Sequence, residues 1–322
     1  MREPAFVQRN KEKWRRLEQV LAHRDQGLSA DESSALYIEL TDDLSYARTF
    51  YPAAEVTKYL NELAVGMHQH IHKNQKTSSG RFISFWMTEL PLLMAATRKQ
   101  LLIAAAVFFT ACAIGALSAH YDSTFTRLIM GDYYVDMTLE NIKNGKPMDV
   151  YGGDHEVDMF FGITLNNIMV SLMAFAAGIV FSYGTWMMLM YNGIMLGCFQ
   201  YFMFQQGVGM ESVLSIWIHG TIEISSIVIA GAAGIVMGNG LLFPGTYTRL
   251  ASFRRSAQQG LKIVIGLVPC FIVAGFLESF VTRHSPVMYP EASASIILAS
   301  LVFIIVYFIV YPYHVERRFR NA

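Results

Sequence analysis

Charged side chains are scarce in this sequence, and cysteine is scarcer still. Asp, Glu, Lys and Arg make up only 16% of the 322 residues, against roughly 25% in ordinary soluble domains, whereas hydrophobic residues make up 53%. Basic and acidic residues balance at 25 each, so no positive charge indicates a nucleic-acid partner. The three cysteines lie inside apolar runs and are expected to be buried hydrophobic residues, which excludes a disulfide framework. This composition predicts an integral membrane protein.

Recognised catalytic signatures are also missing. No GxGxxG, P-loop, GxSxG or CxxC motif occurs in a usable context. The amino-terminal residues carry charges with no apolar run behind them, so no cleaved signal peptide is expected. Any chemistry must therefore be sought among polar residues placed within the apolar part of the chain.

The first third of the chain has the charge content of a water-soluble domain. Residues 1–99 hold fourteen Lys or Arg and twelve Asp or Glu. We expect residues 1–80 to form a cytoplasmic domain of three or four antiparallel helices, with a capping box from Ser29 to Glu32. Residues 81–99 are apolar but interrupted by charges and proline, which predicts an amphipathic helix lying in the membrane interface. The His68, His70 and His72 run is not expected to bind metal, because His70 points away from the other two on a helix.

After residue 99 the chain contains six stretches long enough to cross roughly 30 Å of hydrocarbon as helices. The predicted fold is therefore all-α: a polytopic membrane bundle of about six transmembrane helices over residues 100–313. A tight helical hairpin is expected where Ser182–Thr185 separates the second and third spans. The spans are predicted near 100–120, 159–182, 186–206, 212–238, 260–281 and 293–313.

Basic residues in the short connections predict the orientation. They fall before the first span, between the fourth and fifth, and in the tail 314–322, so both termini are expected to be cytoplasmic. The connection 121–158 carries eight acidic and three basic residues and is expected outside. We interpret it as a solvated loop, with a calcium-binding or docking element as the alternative.

Four polar residues inside the predicted spans form the candidate site. An ionisable residue at the centre of a membrane helix costs about 2.5–3.5 kcal/mol, so it should face the bundle interior. His219 and Glu223 share one helix face, and Glu278 and Asn167 are expected at a similar depth in the outer half of the membrane. Asn166 completes an amide pair with Asn167. Asn192 enters from the inner side and is expected to lie elsewhere.

Three interpretations of this cluster remain open. The favoured one is a structural hydrogen-bond network that ties the helices together. His219, Glu223 and Glu278 could instead hold a divalent metal such as zinc, although no cofactor is known, or act as acid and base. A proton or solute pathway is the third.

Small residues crowd the inner end of the fourth span. Gly231, Gly234 and Gly238 leave little side chain there, and the last two form a GxxxG pair that lets another backbone approach closely. Packing within the chain is favoured, against the second or the fifth span. A homodimer contact is the alternative.

These elements resemble the stage II sporulation protein M family, in its long branch from non-sporulating bacteria. The resemblance rests on LNNIMVSLMAFAAGI in span two, YNGIMLG in span three, HGTIEISSIVIAGAAGIVMGNGLLFPG followed by Arg249, and Glu278. The amino-terminal FVQRNKEKWRRLE is similar as well. The resemblance implies six spans with both ends inside, and it marks His219, Glu223, Glu278, Asn167 and Asn192 as characteristic positions without known chemistry.

The function implied by the resemblance is a scaffold in cell-envelope assembly or peptidoglycan remodelling. Members commonly appear beside MoxR-type ATPases, von Willebrand A-type proteins and RDD-type membrane proteins, which are the expected partners with envelope proteins and membrane lipid. A non-enzymatic role is favoured on this basis. The alternatives are an intramembrane metal-dependent hydrolase acting at the outer leaflet, and a transporter or channel.

Overall fold

Helices account for nearly all of the chain in the computed structural model, which describes residues 2–22, 30–73, 80–148 and 156–320. This confirms the predicted all-α fold class. The chain divides into two compact units, Met1–Phe82 and Ile83–Ala322. The first unit contains helices α1 (Glu3–Ala22), α2 (Ala30–Phe50) and α3 (Glu55–Lys73).

The amino-terminal unit has its own hydrophobic core. Leu17, Leu40 and Leu60, one from each helix, have no exposed surface, because apolar residues recur at helical spacing and face a common interior. Trp14 is also buried, and its Nε1 donates a hydrogen bond of 2.9 Å to Asp43. Ser29 of the predicted capping box lies outside the described residues.

The segment before the first span packs along the membrane bundle. It consists of α4 (Arg81–Ser84), a π-helical turn at Phe85–Glu89 and α5 (Leu90–Ala96). Leu90 and Met94 of α5 are buried in the main core of the bundle. Glu89 forms an ion pair with Lys262, which ties this predicted interfacial segment to the fifth span.

Six helices of the second unit are long and apolar enough to cross a membrane. They confirm the predicted number of spans, and several extend past the predicted limits because a helix continues beyond its apolar portion into polar sequence. Their ranges are α6 (Arg98–Tyr121), α9 (Glu156–Ala176, extended by a 3₁₀ turn to Ile179), α10 (Tyr183–Gln205), α11 (Gly209–Leu242), α12 (Arg249–Phe276, extended to Val287) and α13 with α14 (Pro290–Ile305 and Tyr311–Arg320).

The hairpin between α9 and α10 turns slightly earlier than predicted. Residues Tyr183–Thr185, expected in the turn, form the first turn of α10. The reversal instead uses Phe181 and Ser182, whose φ angles of 50° and 65° lie in the left-handed region. The Ser182 hydroxyl donates to the carbonyl of Ile235 at 3.3 Å, which fastens this turn to α11.

Helix α11 runs through the centre of the bundle. It has 34 residues, and 83% of its most apolar 18-residue stretch is buried inside the protein. A Cβ at Gly238 would overlap the backbone nitrogen and hydroxyl of Ser182, and one at Gly234 would overlap the Thr185 hydroxyl. The neighbour that the GxxxG pair admits is therefore the α9–α10 hairpin of the same chain. Gly231 likewise abuts Leu189 of α10.

The acidic connection is helical where the structure describes it. It contains α7 (Ser123–Met130) and α8 (Asp132–Lys143), and it buries Val135 and Met148 against α10. Since apolar side chains anchor it, it is more than the solvated loop that we expected. We call the end of the bundle that carries α7 and α8 the acidic end, and the other end, with the α9–α10 turn, the basic end.

Ion pairs and caps order the surface of this connection. Arg127 contacts Asp132 at 3.1 Å and Asp136 at 2.7 Å. The hydrogen bond from Arg127 lowers the pKa of Asp136. Asp122 caps α7 by accepting hydrogen bonds from Thr124, and those bonds lower its pKa. These contacts link α7 to α8 across Gly131.

Candidate functional site

His219 and Glu223 lie one turn apart on α11, in the interior of the bundle. They are the eleventh and fifteenth residues of that helix, so His219 lies about 15 Å along α11 from its acidic end, at 1.5 Å per residue. Only 5% of His219 is exposed. The i, i+4 spacing directs both side chains to the same face, and the central position of α11 encloses that face on several sides.

Glu278 reaches this face from the end of the fifth span. There the helix opens into a π-helical turn, Leu277–Val281, and continues as a 3₁₀ helix from Thr282. Because a π turn holds one more residue than an α turn, two consecutive residues, Glu278 and Ser279, can both lie inside the bundle. The side chain of Glu278 is 13% exposed and Ser279 is fully buried.

Both nitrogens of the His219 ring face polar partners. Nδ1 lies 3.0 Å from the hydroxyl oxygen of Thr282, and Nε2 lies 3.8 Å from Oε2 of Glu278. A hydrogen bond at Nδ1 holds the ring plane and leaves Nε2 directed at the carboxyl group. This arrangement, a histidine fixed at one nitrogen by a polar neighbour, is the one that metal-binding histidines use.

Asn167 of α9 closes the cluster on its remaining side. It is 5% exposed, and its amide lies beside the Glu223 carboxyl group. Its Nδ2 makes no hydrogen bond of ordinary geometry with the residues that the structure describes. The structure therefore places together all four residues of the predicted cluster, Asn167, His219, Glu223 and Glu278.

The geometry suits a divalent metal after a small closure. His219, Glu223 and Glu278 each offer one ligand atom, and the three atoms lie within 4.8 Å of one another. Ligand atoms around a tetrahedral Zn²⁺ stand about 3.3 Å apart, so rotamer adjustments of roughly 1.5 Å would complete the site. One histidine with two carboxylates is a donor set that zinc accepts, and the unsatisfied Asn167 amide adds a polar group beside it.

A cavity of about 460 Å³ opens onto the cluster. His219 and Glu223 line it together with Asn192 of α10. Asn192 was expected to lie away from the cluster, and its Nδ2 donates to the Met188 carbonyl of its own helix at 2.8 Å. Most of the remaining lining is apolar or aromatic, from Phe108, Ile129, Met130, Tyr134, Met195, Leu196, Phe199 and Ile216, among others.

Other predicted positions lie outside the cluster. Asn166 is exposed, unlike its buried neighbour Asn167, and Arg249 is exposed at the first turn of α12. His68 is exposed, and its ring lies 6.2 Å from that of Tyr37. The side chains of His70 and His72 lie outside the described residues.

Sequence reasoning missed Thr282 and a polar pair nearer the acidic end, Ser215 and Ser285. Their hydroxyl oxygens lie 2.6 Å apart. One signal was present: Ser212, Ser215, His219, Glu223 and Ser226 recur every three or four residues along α11, a polar stripe on an otherwise apolar helix. The partners on α12 gave no such signal, because a π turn breaks their helical spacing.

The fold and the cluster define a polytopic helical membrane protein with a buried histidine–carboxylate site. Residues 104–283 match the family described as Stage II sporulation protein M. The matched range runs from within the first span to near the end of the fifth, which is more than half of the chain, and the chain belongs to that family. Residues 4–73 are similar to a domain of unknown function, DUF8413. Comparison with curated proteins and with solved structures gave no match.

Proposed function

We propose that the protein is a metal-dependent hydrolase of the cell envelope, acting on a substrate that carries an apolar chain. The observation that carries this proposal is the convergence of three ligand atoms, from His219, Glu223 and Glu278, within 4.8 Å in the interior of the bundle. Catalytic zinc sites commonly use three protein ligands and keep a fourth position open. A bound metal would there polarise the scissile group and activate water.

The surrounding residues have distinct roles under this proposal. Thr282 holds the His219 ring at Nδ1, 3.0 Å away, so that Nε2 faces the metal position. Asn167 lies beside Glu223 and orients its carboxyl group. A divalent cation would favour the ionised form of Glu223 and Glu278 and balance their charge in the apolar interior.

The cavity supports an amphiphilic substrate. Its volume of about 460 Å³ and its lining of aromatic and aliphatic side chains suit an acyl or isoprenoid chain. His219 and Glu223 line the same cavity, so a bond next to the chain's polar group would reach the cluster. Membership of the stage II sporulation protein M family supports an envelope substrate and a location in the bacterial inner membrane, and the basic connections support cytoplasmic termini.

Elemental analysis of the purified, chelator-washed protein tests the metal site. We expect close to one divalent metal per chain in the wild type and none in the His219→Ala/Glu223→Ala variant. The matched control is His284→Ala/Glu291→Ala, which removes the same residue types at exposed positions and should retain the metal. A wild-type protein without metal, and a cluster variant that is folded but less stable, would make the cluster a structural network.

A scaffold is the second candidate function, and the amino-terminal unit supports it. This unit has its own core and still exposes large apolar side chains, with Ile38 and Phe50 each 60% exposed and Val65 50% exposed. Such residues suit a partner protein, for which the family resemblance suggests a MoxR-type ATPase or an RDD-type membrane protein. Affinity capture with the full chain, compared with an Ile38→Ser/Phe50→Ser variant, tests it, since a true partner is lost with the variant.

A further inference from the structure

A row of polar side chains connects the cluster to the acidic end of the bundle. On α11 the row consists of Ser212, Ser215 and His219, which share one face with Glu223. On the fifth span it is matched by Glu278, Ser279, Thr282 and Ser285. We call these residues the polar ladder.

Direct contacts join the two sides of the polar ladder. The hydroxyl oxygens of Ser215 and Ser285 lie 2.6 Å apart. One turn deeper, His219 contacts Thr282 at 3.0 Å, and beyond it Glu278 at 3.8 Å. Pairs of contacting polar side chains therefore follow one another, about one helical turn apart, from Ser215 to Glu278.

Two hydroxyl groups of the polar ladder have no hydrogen-bond partner among the described residues. Ser212 and Ser279 are both fully buried, and neither Oγ makes a hydrogen bond with the described residues. Buried hydroxyls in helices usually donate to the carbonyl one turn earlier, as Ser226 does to Ile222 at 2.7 Å. Because unpaired buried polar groups are rare and costly, these two hydroxyls indicate positions for internal water.

A polar pocket lies at the top of the ladder. It has a volume of about 500 Å³ and is lined by Ser215 and Ser285 together with Lys146, Glu211 and Arg283. Arg283 also pairs with Glu156 at 3.1 Å. Opposite charges balance around this pocket, so it attracts neither cations nor anions strongly, and its charged walls keep it hydrated.

We propose that the polar ladder conducts water from this pocket to the cluster, separately from the apolar cavity of about 460 Å³ on the other side. The use of that water in hydrolysis rests on the proposed function, whereas the route itself does not. The Ser215–Ser285 pair forms its narrowest point. An amphiphilic substrate and water would thus reach one site through two separate entrances. A hydrolytic site enclosed by the membrane needs access for both.

Cysteine labelling of the full-length protein in liposomes tests the route. In a background with Cys112, Cys198 and Cys270 replaced by alanine, Ser279→Cys is treated with a small, charged, membrane-impermeant thiol reagent. The matched control is Ser300→Cys, which is also buried (7% exposed) at a similar distance from the acidic end but lies off the ladder. We expect Ser279→Cys to be labelled at least tenfold faster than Ser300→Cys.

A blocking variant makes the test specific. Adding Ser285→Leu at the pocket should slow labelling of Ser279→Cys at least tenfold, and adding Ile216→Leu, in the apolar cavity, should leave the rate unchanged. Equal labelling of Ser279→Cys and Ser300→Cys, or no effect of Ser285→Leu in a folded protein, would overturn the route. Since labelling needs no metal, fast labelling in a protein that elemental analysis finds metal-free would retain the route and reject the hydrolase.

Discussion

The imidazole Nε2 of His219 lies 3.8 Å from the carboxylate Oε2 of Glu278, although the two residues belong to different membrane spans. His219 comes from the central helix α11, and Glu278 from the π-helical turn that ends the fifth span. Both side chains are almost entirely buried. Their meeting brings ionisable groups together in the interior of the bundle, away from bulk solvent, and this arrangement motivates the predictions that follow.

Removing the support of the histidine should weaken metal binding without unfolding the protein. Thr282→Val deletes the hydroxyl that contacts His219 Nδ1, and loss of such an outer contact typically costs about 10–100-fold in metal affinity. Isothermal titration of the chelator-treated protein with Zn²⁺ measures it. The control is Thr138→Val, at a buried threonine that bonds only its own helix. Equal affinities for the two variants would contradict the assigned role.

Asn167 should matter to the site more than to stability. Its buried Nδ2 lies beside Glu223 but makes no hydrogen bond of ordinary geometry with the described residues, so Asn167→Leu removes a poorly satisfied polar group and replaces it with a side chain of similar volume. We expect a melting temperature equal to or above that of the wild type, because burying an unpaired amide costs about 1–3 kcal/mol. Zinc affinity should fall in the same protein. A large drop in melting temperature would instead make Asn167 a structural residue, and thermal unfolding in detergent decides between the two.

Two glycines should respond in opposite ways to the same substitution. Gly238→Ala would place a Cβ against Ser182 in the α9–α10 turn, and overpacking of this kind costs about 1–3 kcal/mol. Gly162→Ala, on the open face of α9, meets nothing within 4 Å and should stabilise its helix by roughly 0.5–1 kcal/mol. Equilibrium unfolding of both variants in the same detergent compares them. A neutral Gly238→Ala would exclude the close packing described.

Filling the apolar cavity should separate substrate binding from metal binding. Leu196 lines the cavity without belonging to the cluster, so Leu196→Trp should occupy much of its volume of about 460 Å³. We expect unchanged metal content and at least tenfold weaker binding of a fluorescent acyl-chain probe. The control is Leu117→Trp, at an exposed position of α6. If both variants bind the probe like the wild type, the cavity is not the substrate site.

The acidic connection should loosen in acid. The hydrogen bond from Arg127 lowers the pKa of Asp136, so its stabilising effect is present above the unfolded pKa of about 3.9 and is lost as the pH falls through the lower folded value. Both groups are exposed, and the effect on global stability should therefore be small. Carboxyl NMR shifts of Asp136, followed from pH 6 to pH 2, measure it, and Arg127→Gln should return the pKa to its ordinary value.

The α9–α10 turn and the acidic connection are two places where the structure differs from what the sequence predicted. Apolar length predicted six spans, yet it placed Tyr183–Thr185 in a turn that the chain makes at Phe181 and Ser182. Charge predicted a solvated loop over 121–158, but Val135 and Met148 bury themselves against α10. In both cases a local pattern was overruled by contacts with residues distant in sequence.

The sequence by itself determined that this is a helical membrane protein with six spans, because the cost of exposing polar backbone and charged side chains to hydrocarbon depends only on local composition. It also identified Asn167, His219, Glu223 and Glu278 as polar residues inside predicted membrane spans. Only the tertiary structure decided that Thr282 contacts His219, and that a π turn brings Glu278 to His219. Those facts depend on how helices pack side by side, and packing is a property of surfaces that lie far apart along the chain.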